Sequence, residues 1–291
     1  MERFNRCLPL VPLLRSHIPV EQQLAKFQEQ ARTFPERHPQ LLAIRFYLHF
    51  VLWECQKTWL DYHQGITNYA TCLDEIECWR FGTDEKVCVV TFNYDTMLEQ
   101  AMEQVLGRTF GNLSQYTSNE DYKLIKLHGS IDWGHDAMTP TGQRAAIDLI
   151  DAAESLKVSK QYRKVVRHPM VFDDGSYGFP ALAIPVEKKS EFACPQEHIQ
   201  VLAEMIPSTT KIITVGWRAT EDHFLKMLRA PSTGLPDDVD LMIISGDNAG
   251  MTETVRNLGI AVSNSQRKRA LLDTGFTGLI NNIGHLETFL R

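Results

Sequence analysis

Val89-Val90-Thr91-Phe92-Asn93-Tyr94-Asp95 is an apolar run that stops abruptly at an amide, a phenol and a carboxylate. Further along, Lys126-Leu127-His128-Gly129-Ser130 ends in the same manner, at an imidazole and a glycine. Buried parallel strands read as near-continuous apolar runs, and the residues just past their carboxyl ends face the ligand crevice of an open α/β sheet. These two stretches therefore predict neighbouring strand ends that present polar groups at one edge.

Outward from them the chain alternates strand and helix. Val87 to Phe92 is expected to be a central strand. Thr96 to Leu106 carries Met97, Leu98, Ala101, Met102 and Val105 on one side, an amphipathic helix stopped by Gly107. Leu124 to Leu127 is the next strand, followed by a helical insertion at about Gln143 to Arg167 and a turn-rich loop from Asp173 to Gly178. Ala181 to Val186, Lys211 to Val215 and Leu241 to Ser245 read as strands. The last two precede helical stretches, Asp222 to Leu228 and Met251 to Leu258, and Ile260 to Val262 reads as a short final strand. Strands spaced by helices predict an α/β fold: a Rossmann-like, doubly wound parallel sheet. Its expected span is 83–291, with the helical insertion inside about 135–178. Residues 1–82 form a helical N-terminal region with segments opening at Pro19 and Pro39. In its stripe of Leu42, Phe46, Phe50 and Trp53, His49 is expected to be a satisfied core histidine.

Bulk properties narrow the classes. The 291 residues are 43% hydrophobic and 23% charged, enough for a large core, with a formal net charge of -6. That balance provides no domain-wide basic field for direct binding of nucleic acid. The basic clusters Lys157 to Arg167 and Arg267-Lys268-Arg269 read as solvated helix faces. The six cysteines, at positions 7, 55, 72, 78, 88 and 194, form no C-x-x-C pair, so neither a zinc ribbon nor a redox dithiol is expected. Without a signal peptide, reduced thiols point to a soluble, cytoplasmic protein. Phe46 to Trp53, the most apolar stretch, is far too short to span a membrane.

Four strand ends carry the candidate chemistry. Asn93, Tyr94 and Asp95 begin a helix, where Asn and Asp also serve as ordinary caps stabilising by about 1 kcal/mol. His128 beside Gly129 could act as a general base near neutral pH or be a plain turn histidine. Gly216, followed by Trp217-Arg218, closes a strand where backbone could approach a phosphate at a helix start. Asp222-His223 resembles an acid–base pair, but adjacent helical residues point in different directions. Gly246-Asp247-Asn248 ends the last strong strand, where polar groups could meet a ribose or adenine. No G-x-G-x-x-G, Walker A lysine loop, G-x-S-x-G elbow or H-E-x-x-H is present.

Taken in order, N-Y-D, H-G, G-W-R and G-D-N resemble the pattern of the sirtuin-like superfamily across roughly Val87 to Val262. The resemblance implies cleavage of NAD at the nicotinamide–ribose bond. Asn93 would orient a water or substrate oxygen, and His128 would be the base. Asp95 and Tyr94 would lie at the nicotinamide or ribose side, with Gly129 beside the base. Gly216, Trp217 and Asp222 would face the phosphates and adenosine ribose, with Gly246 and Asn248 near the adenosine. NAD is then a substrate, and no metal is required. The N-Y-D form without zinc cysteines is similar to bacterial sirtuin-like antiphage effectors that destroy NAD. This implies control by a homo-oligomer or by a partner such as an ATPase or an Argonaute-like protein. An NAD-dependent protein deacylase and a catalytically silent nucleotide-binding or assembly module are the alternatives.

One element of that pattern is missing: its opening strand and Gly-Ala-Gly turn, which cradles the pyrophosphate. The first glycine here is Gly65, with no buried strand before it. Either the chain starts late relative to the pattern, lacking sequence upstream of Met1, or the loop has been lost. Missing N–H donors weaken anion binding by about 1.5–3 kcal/mol per charge-assisted bond.

Overall fold

The computed structural model describes residue 8 and residues 20–138, 149–150, 155–168, 170–184, 192–259 and 269–291. Three helices come first: α1 (Val20–Ala31), α2 (Arg37–His63) and α3 (Asn68–Thr83). Strand β1 (Val87–Thr91) then leads through helix α4 (Met97–Leu106) to β2 (Tyr122–Lys126). Helix α4 buries Leu98, Ala101 and Met102 and ends at Gly107, whose φ of 62° lets its N–H return to the Glu103 carbonyl. The two strands pair in parallel, from Val87 against Tyr122 to Thr91 against Lys126. The pairing runs one step further, with Leu127 N donating to the Thr91 carbonyl at 3.0 Å.

A second parallel sheet follows in the order β6-β7-β8: Lys211–Val215, Asp240–Ile244 and Arg269–Leu272. Helices α6 (Asp222–Leu228) and α7 (Asn248–Gly259) make its crossovers, and α8 (Gly275–Asn281) and α9 (Gly284–Leu290) close the chain. All five residues of β7 are buried. Its alternating side chains enter two cores. Leu241 and Ile243 pack in the cluster that holds Leu124 and Leu127, while Met242 and Ile244 pack with Leu279, Leu286 and Phe289. A parallel strand covered on both faces defines the doubly wound, Rossmann-like α/β arrangement. Sheets β1-β2 and β6-β7-β8 share the first core, yet no hydrogen-bonded pairing joins them among the described residues.

The insertion departs from its helical expectation. Strands β3 (Gly129–Met138), β4 (Lys157–Lys164) and β5 (Phe179–Leu182) form an antiparallel sheet in the order β4-β3-β5. Lys157 to Lys164 is therefore a strand. Its run of lysines looks like a solvated helix face, but pairing with β3 decides the outcome, and charges suit an exposed edge strand. Phe179–Leu182 likewise pairs antiparallel rather than joining a parallel sheet. Residues 143–148 and 151–154 of the expected insertion helix, together with Val186, Ile260 to Val262, Arg267-Lys268, Pro19 and Cys7, lie outside the described residues. Arg269, read with a helix face, opens strand β8 instead. Helix α5 (Gln196–Met205) follows the insertion.

The N-terminal helices reach three cores, Ile76 and Trp79 of α3 packing against the one that holds Met242 and Ile244. From α1 and α2, Leu24, Phe27, Ile44 and Phe46 pack against Phe172 and Phe179 of the insertion, whereas Leu73 of α3 joins the core under β1 and β2. His49 is 1% exposed and donates from Nε2 to the Ile131 carbonyl at 2.7 Å, tying α2 to β3. Burial, chiefly, lowers its pKa to about 4. A base whose folded pKa lies below its unfolded one is protonated first in the unfolded chain. The associated stability is complete above the unfolded value and is lost as pH falls from about 6.5 towards 4. Urea denaturation at pH 7 and pH 5 is expected to show a loss of about 2 kcal/mol from this residue, and His49→Asn should flatten that dependence. An unchanged pH dependence in His49→Asn would contradict the assignment.

Candidate functional site

Three strand ends meet around one ring. Phe92, just past β1, has its centroid 5.0 Å from the His128 ring, 5.4 Å from Trp217 and 5.8 Å from Phe224. The Trp217 ring lies nearly parallel to it, at 20°. Parallel pairing of β1 with β2 places Asn93 and His128 at the same edge, and Phe92 brings the end of β6 against them.

The N-Y-D turn is held from several sides. Asn93 is exposed; its backbone N–H donates to Thr91 Oγ1 at 3.1 Å and its side-chain amide to the Tyr69 hydroxyl at 3.2 Å. Burial, with the nearby Asp95 charge adding to it, raises the Tyr69 pKa. Tyr94 turns inward. Its hydroxyl donates to the Ala183 carbonyl at 2.8 Å, burial raises its pKa, and its ring stands 6.2 Å from that of His128. Asp95 Oδ1 accepts the Met97 N–H at 3.1 Å, the local turn expected of an aspartate at a helix start. Gln56 of α2 accepts from the Thr96 N–H at 2.6 Å and donates to its hydroxyl at 2.7 Å. Asp95 thus serves as a cap, and Asn93 presents the exposed amide.

His128 is buried at 5% exposure. Its carbonyl accepts from Ala183 N at 2.9 Å, and Ala193 N donates to the Leu127 carbonyl at 2.9 Å. Gly129 has φ +87°, and a Cβ there would fall 1.9 Å from the Ala181 carbonyl oxygen. Its role is close approach: only a glycine lets β2 turn into β3 against β5.

The remaining expected residues occupy the same edge further out. Gly216 has φ +64° and open space where a Cβ would stand, and its N–H donates to the Ile244 carbonyl at 2.9 Å. Trp217 donates from its indole N–H to Glu221. Asp222 is exposed at the first turn of α6. Asn248 is exposed at the start of α7, where Asp247 does the capping, its Oδ1 accepting from Gly250 N at 2.6 Å. Gly246 packs beside Gly275 at the end of β7. The ring contacts that unite Asn93–Tyr94, His128 and Trp217 do not extend to Asp222, Gly246 or Asn248. Gly65 closes helix α2, its N–H bonding to the Leu60 carbonyl, and so is not a strand-to-helix turn glycine.

Two contributors escape a reading of strand ends alone. Lys126 is the last residue of β2, fully buried, and its ammonium contacts Glu99 Oε1 at 2.8 Å and the Asp95 carbonyl. A lysine inside an apolar run, and a glutamate on the otherwise apolar face of the preceding helix, were the available signals. Behind Tyr94 lies an apolar cavity of about 170 Å³ lined also by Arg45, Leu48, Leu52, Leu182 and Ile184. Ligand pockets run to about 300–1,000 Å³, so this cavity is small for a ligand site. Among the described residues no group of three or more His, Cys, Asp or Glu could hold a metal ion, and no helix is long and apolar enough to cross a membrane.

Polar strand ends converging at the carboxyl edge of parallel strands are where open α/β proteins bind their ligands. Compared with models of known families, the chain matches the SIR2-like domain over residues 87–258, more than half its length, and it belongs to that family. SIR2-like domains use NAD. Nothing matches among curated proteins or among solved structures.

Gly129 gives a direct test of the geometry. Gly129→Ala is expected to cost about 3 kcal/mol or more, because left-handed strain adds to a backbone clash. Urea denaturation reads this, and a loss below about 1 kcal/mol would show that the β2–β3 turn is not built as described.

Proposed function

We propose that the chain is an NAD hydrolase that releases nicotinamide and ADP-ribose. The observation that carries this reading is the shared edge of Asn93, an exposed amide, and His128, with Phe92 bridging to Trp217, in a chain of the SIR2-like family.

The chemistry asks little of acids. The bond from the ribose C1′ to the nicotinamide nitrogen breaks, and its electron pair neutralises the positively charged ring. The leaving group therefore departs neutral without a proton. Positioning and electrostatic stabilisation of the oxocarbenium-like centre supply most of the barrier reduction. In this proposal Asn93 orients the attacking water, the water oxygen bonds to C1′, and His128 receives its proton. Tyr94 and Asp95 border the nicotinamide ribose, and Gly129 keeps the backbone beside His128 close. Gly216, Trp217 and Asp222 face the pyrophosphate and adenosine ribose, with Gly246 and Asn248 towards adenine. Residues 83–291 act as the catalytic unit and 1–82 as its helical companion. A cytoplasmic antiphage effector, working as a homo-oligomer or with an ATPase or Argonaute-like partner, is the biological setting proposed for this activity.

One observation favours a second reading. Two glycines precede β1: Gly65 follows the end of α2 and Gly82 lies within α3, so neither belongs to a glycine-rich turn that could cradle a pyrophosphate. A silent nucleotide-binding module would share this feature.

Incubation of the purified chain with NAD, without acyl peptide, is expected to release nicotinamide and ADP-ribose in equal amounts. His128→Ala or Asn93→Ala should lower that rate by about 100-fold or more. Nucleotide binding without turnover would favour the silent module. Dependence of nicotinamide release on an acyl peptide would favour a protein deacylase.

A further inference from the structure

The N-Y-D turn is latched to the β2–β3 segment by contacts to its backbone carbonyls, the Ser130 hydroxyl reaching that of Tyr94 at 3.4 Å beside three others. Leu127 N donates to the Thr91 carbonyl at 3.0 Å, and Ile131 N to the Tyr94 carbonyl at 2.9 Å. The third is charge-assisted: the Lys126 ammonium donates to the Asp95 carbonyl. Lys126 also pairs with Glu99 Oε1 at 2.8 Å, and both side chains are buried, at 0% and 4% exposure.

Such a pair is costly to bury. Replacing a buried ion pair with apolar side chains of similar volume is often neutral or stabilising, so stability alone gives little reason for Lys126 to be there. Among the described residues Glu99 Oε2 finds no hydrogen-bond partner. What the ammonium does is directional. It fixes the Asp95 carbonyl, and with it the Asp95–Thr96 peptide plane at the start of α4. The turn that carries Asn93 is therefore set from β2, the strand that carries His128 two residues later.

The pair does not stand alone. Glu99 Oε1 accepts from the Tyr116 hydroxyl at 3.1 Å, and that hydroxyl accepts from Lys164 Nζ at 3.1 Å. Lys164 pairs with Asp132 at 3.0 Å, and Asp132 accepts from His168 Nε2 at 3.1 Å. The polar chain thus anchors the Lys126–Glu99 pair to the antiparallel insertion sheet.

We propose that Lys126 is a positioning residue: its buried ammonium, balanced by Glu99, holds the Asn93–Asp95 turn in register with His128. Its catalytic consequence rests on the NAD hydrolase reading; its effect on the turn does not.

The test uses the full chain with Lys126→Met and Glu99→Gln together, which removes the ammonium without stranding a buried carboxylate. Amide hydrogen exchange over residues 92–98 is compared with the wild type, alongside NAD turnover. Exchange in the turn is expected to rise about tenfold or more while β2 and the rest of α4 keep their protection. kcat should fall about tenfold or more with KM changed by less than about threefold, since a displaced turn weakens alignment more than binding. A pair of purely structural value would instead lower the melting temperature and leave kcat per folded molecule unchanged. Lys126→Gln with Glu99→Gln restores an N–H donor and should recover part of the turn's protection. It also carries the test if the first pair fails to fold. Turn exchange identical to wild type in a folded variant would overturn the proposal. Absence of turnover in the wild type would instead overturn the hydrolase reading, and the exchange data would still decide the role of Lys126.

Discussion

The parallel register of β1 on β2 is the constraint on which the candidate site depends. Setting Thr91 against Lys126 makes both strands stop at the same level, so that Asn93 and His128 emerge side by side. The Leu127 N–H to the Thr91 carbonyl extends that register past the strands. A slip by one residue would turn every side chain to the opposite face and send the imidazole away from the amide. Phe92 then adds the third strand end through its contacts with His128 and Trp217.

Much of this was legible in the chain itself. Continuous apolar runs at Val87 to Phe92, Lys211 to Val215 and Leu241 to Ser245 marked the parallel strands, of which β7 is buried throughout, and Gly107 marked the end of α4. The insertion was illegible for a physical reason. Lys157 to Lys164 is rich in charges that a helix face and an exposed edge strand tolerate equally, and only its pairing with β3 selects the strand. The Lys126–Glu99 pair was hidden for the opposite reason: a charge within an apolar run has meaning only once its partner on α4 is known. Asp95 and Asp247 show the ordinary side of motif residues, since each bonds a nearby backbone N–H at its helix start.

The parallel strands form two sheets, β1-β2 and β6-β7-β8, over a shared core, with no pairing between β1 and β6 among the described residues. Val87, Val89, Val90 and Ile212 are only half-buried there. In an open α/β sheet the phosphate-binding turn follows the strand beside the point where the order reverses. In the proposed function that role would fall to Gly216 and the helix starts beyond β6 and β7, where Asp247 already caps the first turn of α7. Anchoring of the nucleotide therefore shifts, in this account, towards the Asn93–His128 end and the aromatic pair Phe92–Trp217.

A crystal structure of the chain with ADP-ribose would test this account most directly. The account predicts that the terminal ribose lies between the Asn93 amide and the His128 imidazole, with the nucleotide running along the edge past Trp217. A ribose bound elsewhere, or ADP-ribose absent from that edge at saturating concentration, would contradict it.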